Sequence, residues 1–321
     1  MDNWICERSF RAGQRGRDLG GGAMTAFLQN CFAGLALGST YALVALGFVV
    51  IFKSTGVINF AQGGLLALGA YLGYTFSNNL LLAFGIAILL ACLAAALVGA
   101  GFERIVLRRM VGQPPFAVIM ITIGLLFILE PMITAIWGFD NLQVRNPWNI
   151  NTVEVGGLVF GVKDLWTIGL TAAVVVGFFV FFKYSPLGLA MRVTAFDPEA
   201  ALAQGISAKK VYAVSWAIAA ALAALAGIAM AAGPGGLSPS IGFIALAAFP
   251  AMIVGGMDSP AGAVLGGLVI GLAEALTRGY QDQLFSWAGD NVSIIVPYLL
   301  MIVILLIRPY GLLGTKDVRR V

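Results

Sequence analysis

Two long stretches of the sequence carry no charged side chain, residues 54–102 (49 residues) and residues 211–257 (47 residues). Over the whole chain only 11% of the 321 residues are charged and 60% are hydrophobic, whereas about a quarter of the residues in a soluble domain are charged. Each uncharged stretch is long enough for two membrane-spanning helices of roughly 20 residues. The sequence therefore predicts an all-α, polytopic transmembrane bundle.

The apolar segments predict a single transmembrane domain of eight or nine spans that occupies residues 24–321. Seven of the spans are placed at residues 26–52, 57–77, 80–102, 116–137, 165–182, 211–232 and 292–307. The apolar legs 244–257 and 260–277 flank a polar break, and they predict either two full spans or a re-entrant hairpin. Residues 41–69 and 246–267 share an apolar leg, a glycine-containing break and a glycine-rich leg, which is a weak indication of an internal repeat.

The placement of lysine and arginine predicts which ends of the spans face the cytoplasm. Twelve of the fifteen basic residues after position 23 lie on one side of this topology. Since cytoplasmic loops are enriched in lysine and arginine, this side is predicted to be cytoplasmic and to include the C-terminus, with the protein in the cell inner membrane. The opposite, outer face is predicted to consist of residues 138–164, 233–243 and 278–291.

Residues 1–23 differ in composition from the rest of the chain. They are polar, basic and rich in glycine, and they lack the apolar core of a signal peptide. One interpretation is a disordered N-terminal extension. The other, which we favour, is that translation starts at Met24, directly before the first span.

The sequence offers no residues suited to catalysis, to metal binding or to holding a cofactor. It contains no histidine, and its three cysteines, Cys6, Cys31 and Cys92, lie far apart and form no CxxC pair. No GxxxxGK[ST] loop is present to hold ATP phosphates. The basic residues are not interleaved with aromatic ones as in a nucleic-acid-binding surface. We therefore predict a non-enzymatic membrane protein that contacts lipid and no nucleic acid.

The loop at residues 184–210 contains the pattern of a short helix with a cap at each end. Asp197 is the predicted N-cap, Pro198 the first helical position and Gly205 the C-terminal stop. Glu199 falls in the first turn, where the helix dipole favours an anion. A short, rigid helix in a cytoplasmic loop is suited to mechanical coupling with another protein. The alternative is a plain surface loop.

Several segments of the chain resemble a known family of permeases. The run Glu199-Ala200-Ala201 followed by Gly205 is similar to the EAA coupling loop of ATP-binding-cassette (ABC) importer permeases. Other segments are similar to the signatures of LivH-type permeases for branched-chain amino acids, in the same order and spacing: GSTYAL at 38–43, GVINFAQG at 56–63, and residues 185–188, 241–243, 254–256, 271–276 and 308–314. The resemblance covers residues 24–315. It implies an ABC importer permease fold that translocates branched-chain amino acids.

The resemblance also implies coupling residues and partner chains. The residues it assigns to coupling with the ATPase are Asp197, Pro198, Glu199, Ala200, Ala201 and Gly205. The implied partners are a second, LivM-like permease, two cytoplasmic ATP-binding subunits that hydrolyse ATP, and an extracytoplasmic solute-binding protein. The chain departs from the family at Gln62-Gly63-Gly64, where His-Gly-Glu is common, so the solute is left open. A urea or amide permease is an alternative, and an ion-coupled secondary transporter is one from another class.

Five residues at or before the first polar break are candidates for lining the solute path: Ser39, Thr40, Asn59, Phe60 and Gln62. Broken helices must place their free backbone groups against protein or a wet cavity, and polar side chains at such a break have access to the same space. An equally weighted alternative is that these side chains satisfy hydrogen bonds at helix ends or within their own helix.

Two acidic residues lie within apolar segments, where a charge costs on the order of 3 kcal/mol. Glu130 and Glu274 are therefore predicted to face the bundle interior or the membrane interface. For Glu274 an ion pair with Arg278, one turn later on the same helix, is favoured over a role in the solute path.

Overall fold

The computed structural model describes residues 21–110, 112–148, 151–196, 198–233, 235–284 and 292–315. Within these ranges the chain forms eleven α-helices and one β-hairpin. The helices are α1 (Gly21–Thr55), α2 (Gln62–Tyr74), α3 (Phe84–Ile105), α4 (Pro115–Trp137), α5 (Val162–Tyr184), α6 (Pro186–Phe196), α7 (Pro198–Ala203), α8 (Ala208–Ala231), α9 (Ile244–Gly255), α10 (Pro260–Leu284) and α11 (Val292–Ile307). The strands are β1 (Thr152–Val155) and β2 (Leu158–Gly161), and short turns of other helical types occupy Thr75–Asn79, Leu107–Met110 and Pro239–Phe243.

Six helices of the described chain are long and apolar enough to cross a membrane, namely α1, α3, α4, α5, α8 and α10. Helices suit this environment because lipid offers no hydrogen-bond partners to the backbone. The apolar helices α9 and α11 are shorter, and α2 has 13 residues. The predicted all-α polytopic bundle is therefore confirmed, while the total of eight or nine spans stays a prediction.

The first helix begins earlier than predicted. α1 starts at Gly21, so the last three residues of the segment interpreted as a disordered extension are helical. Adding residues to an existing helix is far easier than nucleating one, which accounts for the longer helix. Residues 1–20 lie outside the described residues, and the choice between an extension and a start at Met24 stays a prediction.

Two helices begin with the dipeptide Ser-Pro. Ser185 and Ser259 are N-caps, whose hydroxyl oxygens accept hydrogen bonds from the backbone N–H groups of Gly188 (2.9 Å) and Gly262 (3.0 Å). The proline after each serine occupies the first helical position, where its missing N–H has no helical partner to lose. These caps start α6 and α10 sharply, close behind the ends of α5 and α9.

The core is built around α1, against which α8 and α10 pack. Gly38 of α1 meets α10 so closely that a Cβ on it would lie 2.8 Å from the Cα of Leu268. Likewise α3 approaches α8, and a Cβ on Gly99 would lie 2.6 Å from the carbonyl oxygen of Trp216. Small residues allow helix backbones to come this close in membranes. The tightest pairs therefore join helices that are far apart in sequence.

The described bundle has two ends that differ in composition. The hairpin end comprises described residues of 75–83, 138–161 and 232–240, and the basic end comprises described residues of 53–58, 103–114, 183–207, 256–259 and 308–315. At the hairpin end, Leu142 forms a backbone bridge with Leu237, so two of the loops predicted to share the outer face do meet. At the basic end, Lys53 Nζ donates a hydrogen bond to the carbonyl oxygen of Asp258 (2.9 Å).

The β-hairpin was not predicted. Its strands pair antiparallel, with Thr152 opposite Gly161 and Val155 opposite Leu158. Gly156 and Gly157 form the two-residue turn with φ values of 59° and 79°, the backbone geometry that matches the twist of two paired strands. Strands of four residues are too short to show a clear alternation in the sequence, and the segment was interpreted only as an outer loop.

The predicted span 57–77 is wrong at its start. After Thr55 the chain turns back into the bundle, and residues 56–61 lie outside any helix before α2 begins at Gln62. Gln62 Nε2 donates a hydrogen bond to the carbonyl oxygen of Ala219, the twelfth of the 24 residues of α8. α2 therefore starts near the middle of the bundle and runs only to the hairpin end. It is a half-helix.

A second half-helix runs the other way. Beyond α8, residues 235–243 turn back into the bundle from the hairpin end, and the 12-residue α9 then runs to the basic end. A Cβ on Gly242 would lie 3.0 Å from the carbonyl oxygen of Gly63, so the two breaks meet at one level. The segment 244–277 is thus a half-helix followed by the full-length α10. Of the two predicted legs, only the second forms a helix that meets the length of a membrane span by itself.

The two halves of the described bundle repeat one arrangement in opposite directions. A full-length helix, a break, a half-helix and another full-length helix follow in order, as α1, α2 and α3 in the first half and as α8, α9 and α10 in the second. Transporters often contain such inverted repeats, with the binding site where the repeats meet. The repeat differs from the one indicated by residues 41–69 and 246–267, because the break at 56–61 corresponds to the break at 235–243.

Candidate functional site

A buried chain of amide groups holds the first break in place. Asn59 Oδ1 accepts a hydrogen bond from the backbone N–H of Ala61 (3.0 Å), and Asn59 Nδ2 donates to Gln62 Oε1 (3.3 Å). Gln62 Nε2 in turn donates to the carbonyl oxygen of Ala219 (3.1 Å). Both side chains are almost fully buried, and a buried amide without partners is costly. The network therefore ties the start of α2 to the middle of α8.

The two half-helices meet through glycine. A Cβ on Gly63 would lie 2.5 Å from the carbonyl oxygen of Gly242, closer than real Cβ contacts come. Any larger residue at position 63 therefore has to push the two breaks apart. Phe249 of α9 closes the same region from the side, with its ring 5.7 Å from that of Phe60 and 5.9 Å from that of Phe48. We call Asn59, Gln62, Gly63 and Gly242 the closed layer.

A cavity of about 310 Å³ lies between the closed layer and the basic end. It is lined by the first break, residues 56–59, and by Glu103, Tyr212 and Trp216 among others. Glu103 is 2% exposed and pairs with Arg108, whose Nη2 lies 3.1 Å from Glu103 Oε2. The sequence analysis did not select Glu103, although it is the first charge after the 49-residue uncharged stretch.

A second cavity of about 500 Å³ lies on the opposite side, between the closed layer and the hairpin end. It is lined by the second break, including Gly235, Gly236 and Ser238, and by residues of α1, α5, α8 and α10. Three ionisable side chains border it: Lys163, Asp164 and Arg278. Each break thus borders its own cavity, and of the closed layer only Asn59 lines either of them.

The five predicted path residues do not form one lining. Thr40 borders the hairpin-end cavity, and its hydroxyl also donates to the carbonyl oxygen of Ala36 within its own helix (3.3 Å). Asn59 borders the basic-end cavity, while Gln62 lies in the layer between the cavities. Ser39 is buried in α1. Phe60 is partly buried, and its backbone N–H donates to Thr122 Oγ1 (3.1 Å).

The predicted stop of the short helix in the 184–210 loop is present. Gly205 has φ of 78°, its N–H donates to the carbonyl oxygen of Leu202 (3.0 Å), and the N–H of Ile206 donates to that of Ala201 (2.9 Å). This pair of bonds is the Schellman arrangement, which favours glycine at the left-handed position. Pro198 begins α7, as predicted.

The other candidate coupling residues are placed unequally. Ala201 is fully buried against its own chain, so its side chain can transmit movement but cannot touch a partner. Asp197 lies outside the described residues, and the same holds for the side chains of Pro198, Glu199 and Ala200. Large apolar side chains do reach outward nearby, since Phe196 is 95% exposed and Leu202 is 59% exposed.

The predicted ion pair of Glu274 is present and has a third member. Arg278 Nη2 lies 2.7 Å from Glu274 Oε1, and Tyr41 Oη of α1 donates a hydrogen bond to Glu274 Oε2 (2.7 Å). Glu274 and Tyr41 are buried, whereas the Arg278 side chain is 58% exposed. The group therefore joins α1 to α10 at the edge of the hairpin-end cavity. Glu130, the other acid in an apolar segment, is partly buried in α4.

We expect Glu274→Gln to leave transport measurable. The amide oxygen can still accept the hydrogen bond from Tyr41, and the lost ion pair is partly solvated, so it contributes only about 0.2–1 kcal/mol. Glu274→Leu leaves the buried Tyr41 hydroxyl without its acceptor and should cost about 1–3 kcal/mol. Thermal unfolding of the purified chain and uptake in reconstituted vesicles measure the two effects.

Tyr41→Phe is the matched control for this comparison. In its background the stabilities of Glu274→Gln and Glu274→Leu should converge, because the hydroxyl that distinguishes them is gone. A Glu274→Gln protein that folds with wild-type stability but takes up no solute would place the acid in the solute path instead.

The described bundle thus has one cavity toward each end, and the two breaks meet at a level between them. Many transporter folds are built from inverted repeats, with the binding site where the repeats meet. Residues 30–305 match the family described as branched-chain amino acid transport system, permease component. The chain belongs to this family, and it is therefore a multi-pass membrane permease that forms one component of a transport system.

Similar proteins of known name cover nearly the whole chain. The high-affinity branched-chain amino acid transport system permease protein LivH of Escherichia coli is 31% identical over 315 residues, which covers 92% of this chain and 98% of that protein. The corresponding protein BraD of Pseudomonas aeruginosa is 32% identical over 309 residues, with the same coverage of both chains. The permease protein LivM of E. coli is 28% identical over 300 residues, covering 85% of this chain and 67% of that protein.

Proposed function

We propose that this chain is the membrane-spanning subunit of an ATP-driven importer that carries branched-chain amino acids across the cytoplasmic membrane. The observation that carries the proposal is the family match over residues 30–305. Two relatives of at least 31% identity, LivH and BraD, are permease proteins of high-affinity branched-chain amino acid transport systems. ATP hydrolysis belongs to separate cytoplasmic subunits, and an extracytoplasmic binding protein delivers the solute.

A second, related permease completes the membrane part of the proposed importer. The similarity of this chain to LivM as well as to LivH supports that partner, since two permease proteins of one transport system share its sequence pattern. The faces of α3, α4 and α5 are largely exposed in the single chain. They offer surface both to lipid and to such a partner.

The basic end is the cytoplasmic side in this proposal, and it includes the C-terminus. Of the twelve basic residues that the structure describes after position 23, seven lie in the ranges of the basic end and two more, Lys209 and Lys210, begin α8 there. This agrees with the enrichment of lysine and arginine in cytoplasmic loops. The helix α7 lies there as well. Its Leu202 is exposed, and so is Phe196, the last residue of α6. Exposed large apolar side chains often mark protein contacts, and the ATPase is the partner proposed for these two.

The solute passes between the two cavities when the closed layer opens. A relative movement of the two half-helices separates Gly63 from Gly242, and the amides of Asn59 and Gln62 then become available to the passing solute. ATPase-driven movement of the 184–210 loop reaches this layer through α8, which directly follows the loop and carries Ala219.

Reconstitution tests the proposed function directly. We expect proteoliposomes that hold this chain with its ATP-binding subunits, second permease and binding protein to accumulate radiolabelled leucine, isoleucine and valine when ATP is inside. Removing the ATP-binding subunits should stop accumulation, because this chain has no ATP-binding loop. Accumulation of urea without leucine would assign the chain to the urea and amide permeases. Leucine accumulation that follows a sodium or proton gradient without ATP would assign it to the secondary transporters.

A further inference from the structure

The hairpin-end cavity carries charge that the closed layer does not use. Lys163 and Asp164 stand in the first turn of α5, and Arg278 stands across the cavity on α10. Lys163 Nζ reaches the end of α8, where a Cβ on Gly233 would lie 2.7 Å from it. The negative end of the α8 dipole favours an ammonium group at this place.

Asp164, the next residue in the same turn, is held at the start of α5 itself. Its carboxylate folds back toward the start of α5, where a Cβ on Gly161 would lie 2.9 Å from Oδ2, and the positive end of a helix dipole favours an anion. Within the described residues, neither Lys163 nor Asp164 has a side chain of opposite charge within 4 Å. Arg278 differs, since Glu274 already pairs with it. Lys163 and Asp164 also interact electrostatically with each other. The cavity therefore offers one cation and one anion that are not engaged in a close ion pair.

The rest of the wall is largely apolar. Ala33, Ala36 and Leu37 of α1, together with Met230, Ile241 and Ile244 from the second repeat, line the part of the cavity away from the charges. A volume of about 500 Å³ falls within the range of small-molecule sites, roughly 300–1,000 Å³, and such sites combine apolar walls with a few placed polar groups. A free α-amino acid with an aliphatic side chain has this same division into a charged and an apolar part.

We propose that the hairpin-end cavity is a binding site for the zwitterionic head of an aliphatic amino acid. Lys163 binds the α-carboxylate, with Arg278 as the second cation at the rim, and Asp164 binds the α-ammonium. The aliphatic side chain lies against the apolar wall toward Ile241. This inference rests on the proposed function and deepens it, because it gives the permease its own discrimination in favour of amino acids and against uncharged solutes such as urea.

Two analogues that each lack one charge provide the test. Leucinamide has no carboxylate and N-acetylleucine has no ammonium group. Binding of leucine and of both analogues is measured by competition with radiolabelled leucine, on the complete nucleotide-free complex in lipid nanodiscs without binding protein. We expect Lys163→Met to lower the affinity for leucine roughly 10- to 100-fold, as for the loss of a charged hydrogen bond. The affinity for leucinamide should stay within about threefold of its wild-type value. Asp164→Asn should lower the affinity for leucine by a similar factor and leave the affinity for N-acetylleucine unchanged.

Matched variants separate charge recognition from damage to the fold. Lys163→Arg keeps the cation and should keep the wild-type preference for leucine over leucinamide. Asp140→Asn and Arg145→Met remove exposed charges at the same end that do not line this cavity, and they should leave all three affinities unchanged. Each preference is a ratio within one variant, so partial loss of folded protein does not alter it.

The outcomes distinguish this site from the proposed function. Loss of the leucine preference in Lys163→Met, with its retention in Lys163→Arg, supports the site. Wild-type preferences in both Lys163→Met and Asp164→Asn overturn it, and the proposed function still stands if the wild-type complex accumulates leucine with ATP. A wild-type complex that accumulates urea and not leucine overturns both.

Discussion

Gly205→Val is expected to lower solute-stimulated ATP hydrolysis by the assembled importer about tenfold or more, while membrane insertion of the chain stays normal. Gly205 closes α7 with φ of 78° and two backbone hydrogen bonds. A β-branched residue in this conformation costs on the order of 1–3 kcal/mol, and each 1.4 kcal/mol is a factor of ten. The strain shifts α7 and the exit of the chain toward α8, so the docking surface loses its shape. Co-purification with the ATP-binding subunits and ATP hydrolysis in proteoliposomes measure the effect.

Gly205→Asn is the matched control at the same position. Asparagine tolerates the left-handed region far better than valine, so this variant should retain most of the coupling although it also adds a side chain. Among the described atoms, none lies within 4 Å of a Cβ at position 205, so a clash with them is not the cause. If both variants copurify with the ATPase and hydrolyse ATP like the wild type, the 184–210 loop is not the coupling element.

Gly63→Ala is expected to reduce solute uptake at least about tenfold in a chain that still assembles. The added Cβ would lie 2.5 Å from the carbonyl oxygen of Gly242, and overpacking of this kind costs roughly 1–3 kcal/mol. Because the two nearest atoms, the carbonyl oxygen and carbon of Gly242, belong to the backbone, the strain is relieved by moving the half-helices α2 and α9 apart, which disturbs the closed layer. Initial rates of leucine uptake in proteoliposomes provide the measurement.

Gly124→Ala is the control for this substitution. It makes the same chemical change in α4, where an added Cβ meets nothing within 4 Å, and it should leave uptake unchanged. If Gly63→Ala takes up leucine at the wild-type rate and has normal thermal stability, the two breaks do not form the barrier between the cavities.

Local features of the sequence were enough to locate most of the long helices. The prediction of 116–137 differs by one residue from α4, and that of 292–307 coincides with α11. The stop at Gly205 was equally predictable, because a glycine that ends a helix acts through its own φ and its neighbours' backbone groups. The pair of Glu274 with Arg278 was also predictable from local sequence, since residues four apart on a helix are always neighbours.

The half-helices could not be predicted in this way. Hydropathy reports whether a segment is apolar but not how deep it lies, so residues 56–61 looked like the start of a span and residues 244–257 like a full leg. Their depth follows from contacts with distant residues, Ala219 for Gln62 and Gly63 for Gly242. The same limit applies to Tyr41, which is 233 positions from Glu274 in sequence and yet donates a hydrogen bond to it.

The sequence by itself determined that this protein is a multi-pass helical membrane protein, because the need to keep charges out of lipid acts on every span separately and leaves its mark in each. It also determined where the short helix α7 stops, at Gly205, because the signal for that stop is local. Only the tertiary structure decided where the chain breaks inside the membrane and which side chains share a cavity. Lys163, Asp164 and Arg278 lie in two different segments of the sequence, and they border one cavity because α5 and α10 both pack against α1. Packing between segments distant in sequence is a property of the whole fold, and no local pattern encodes it.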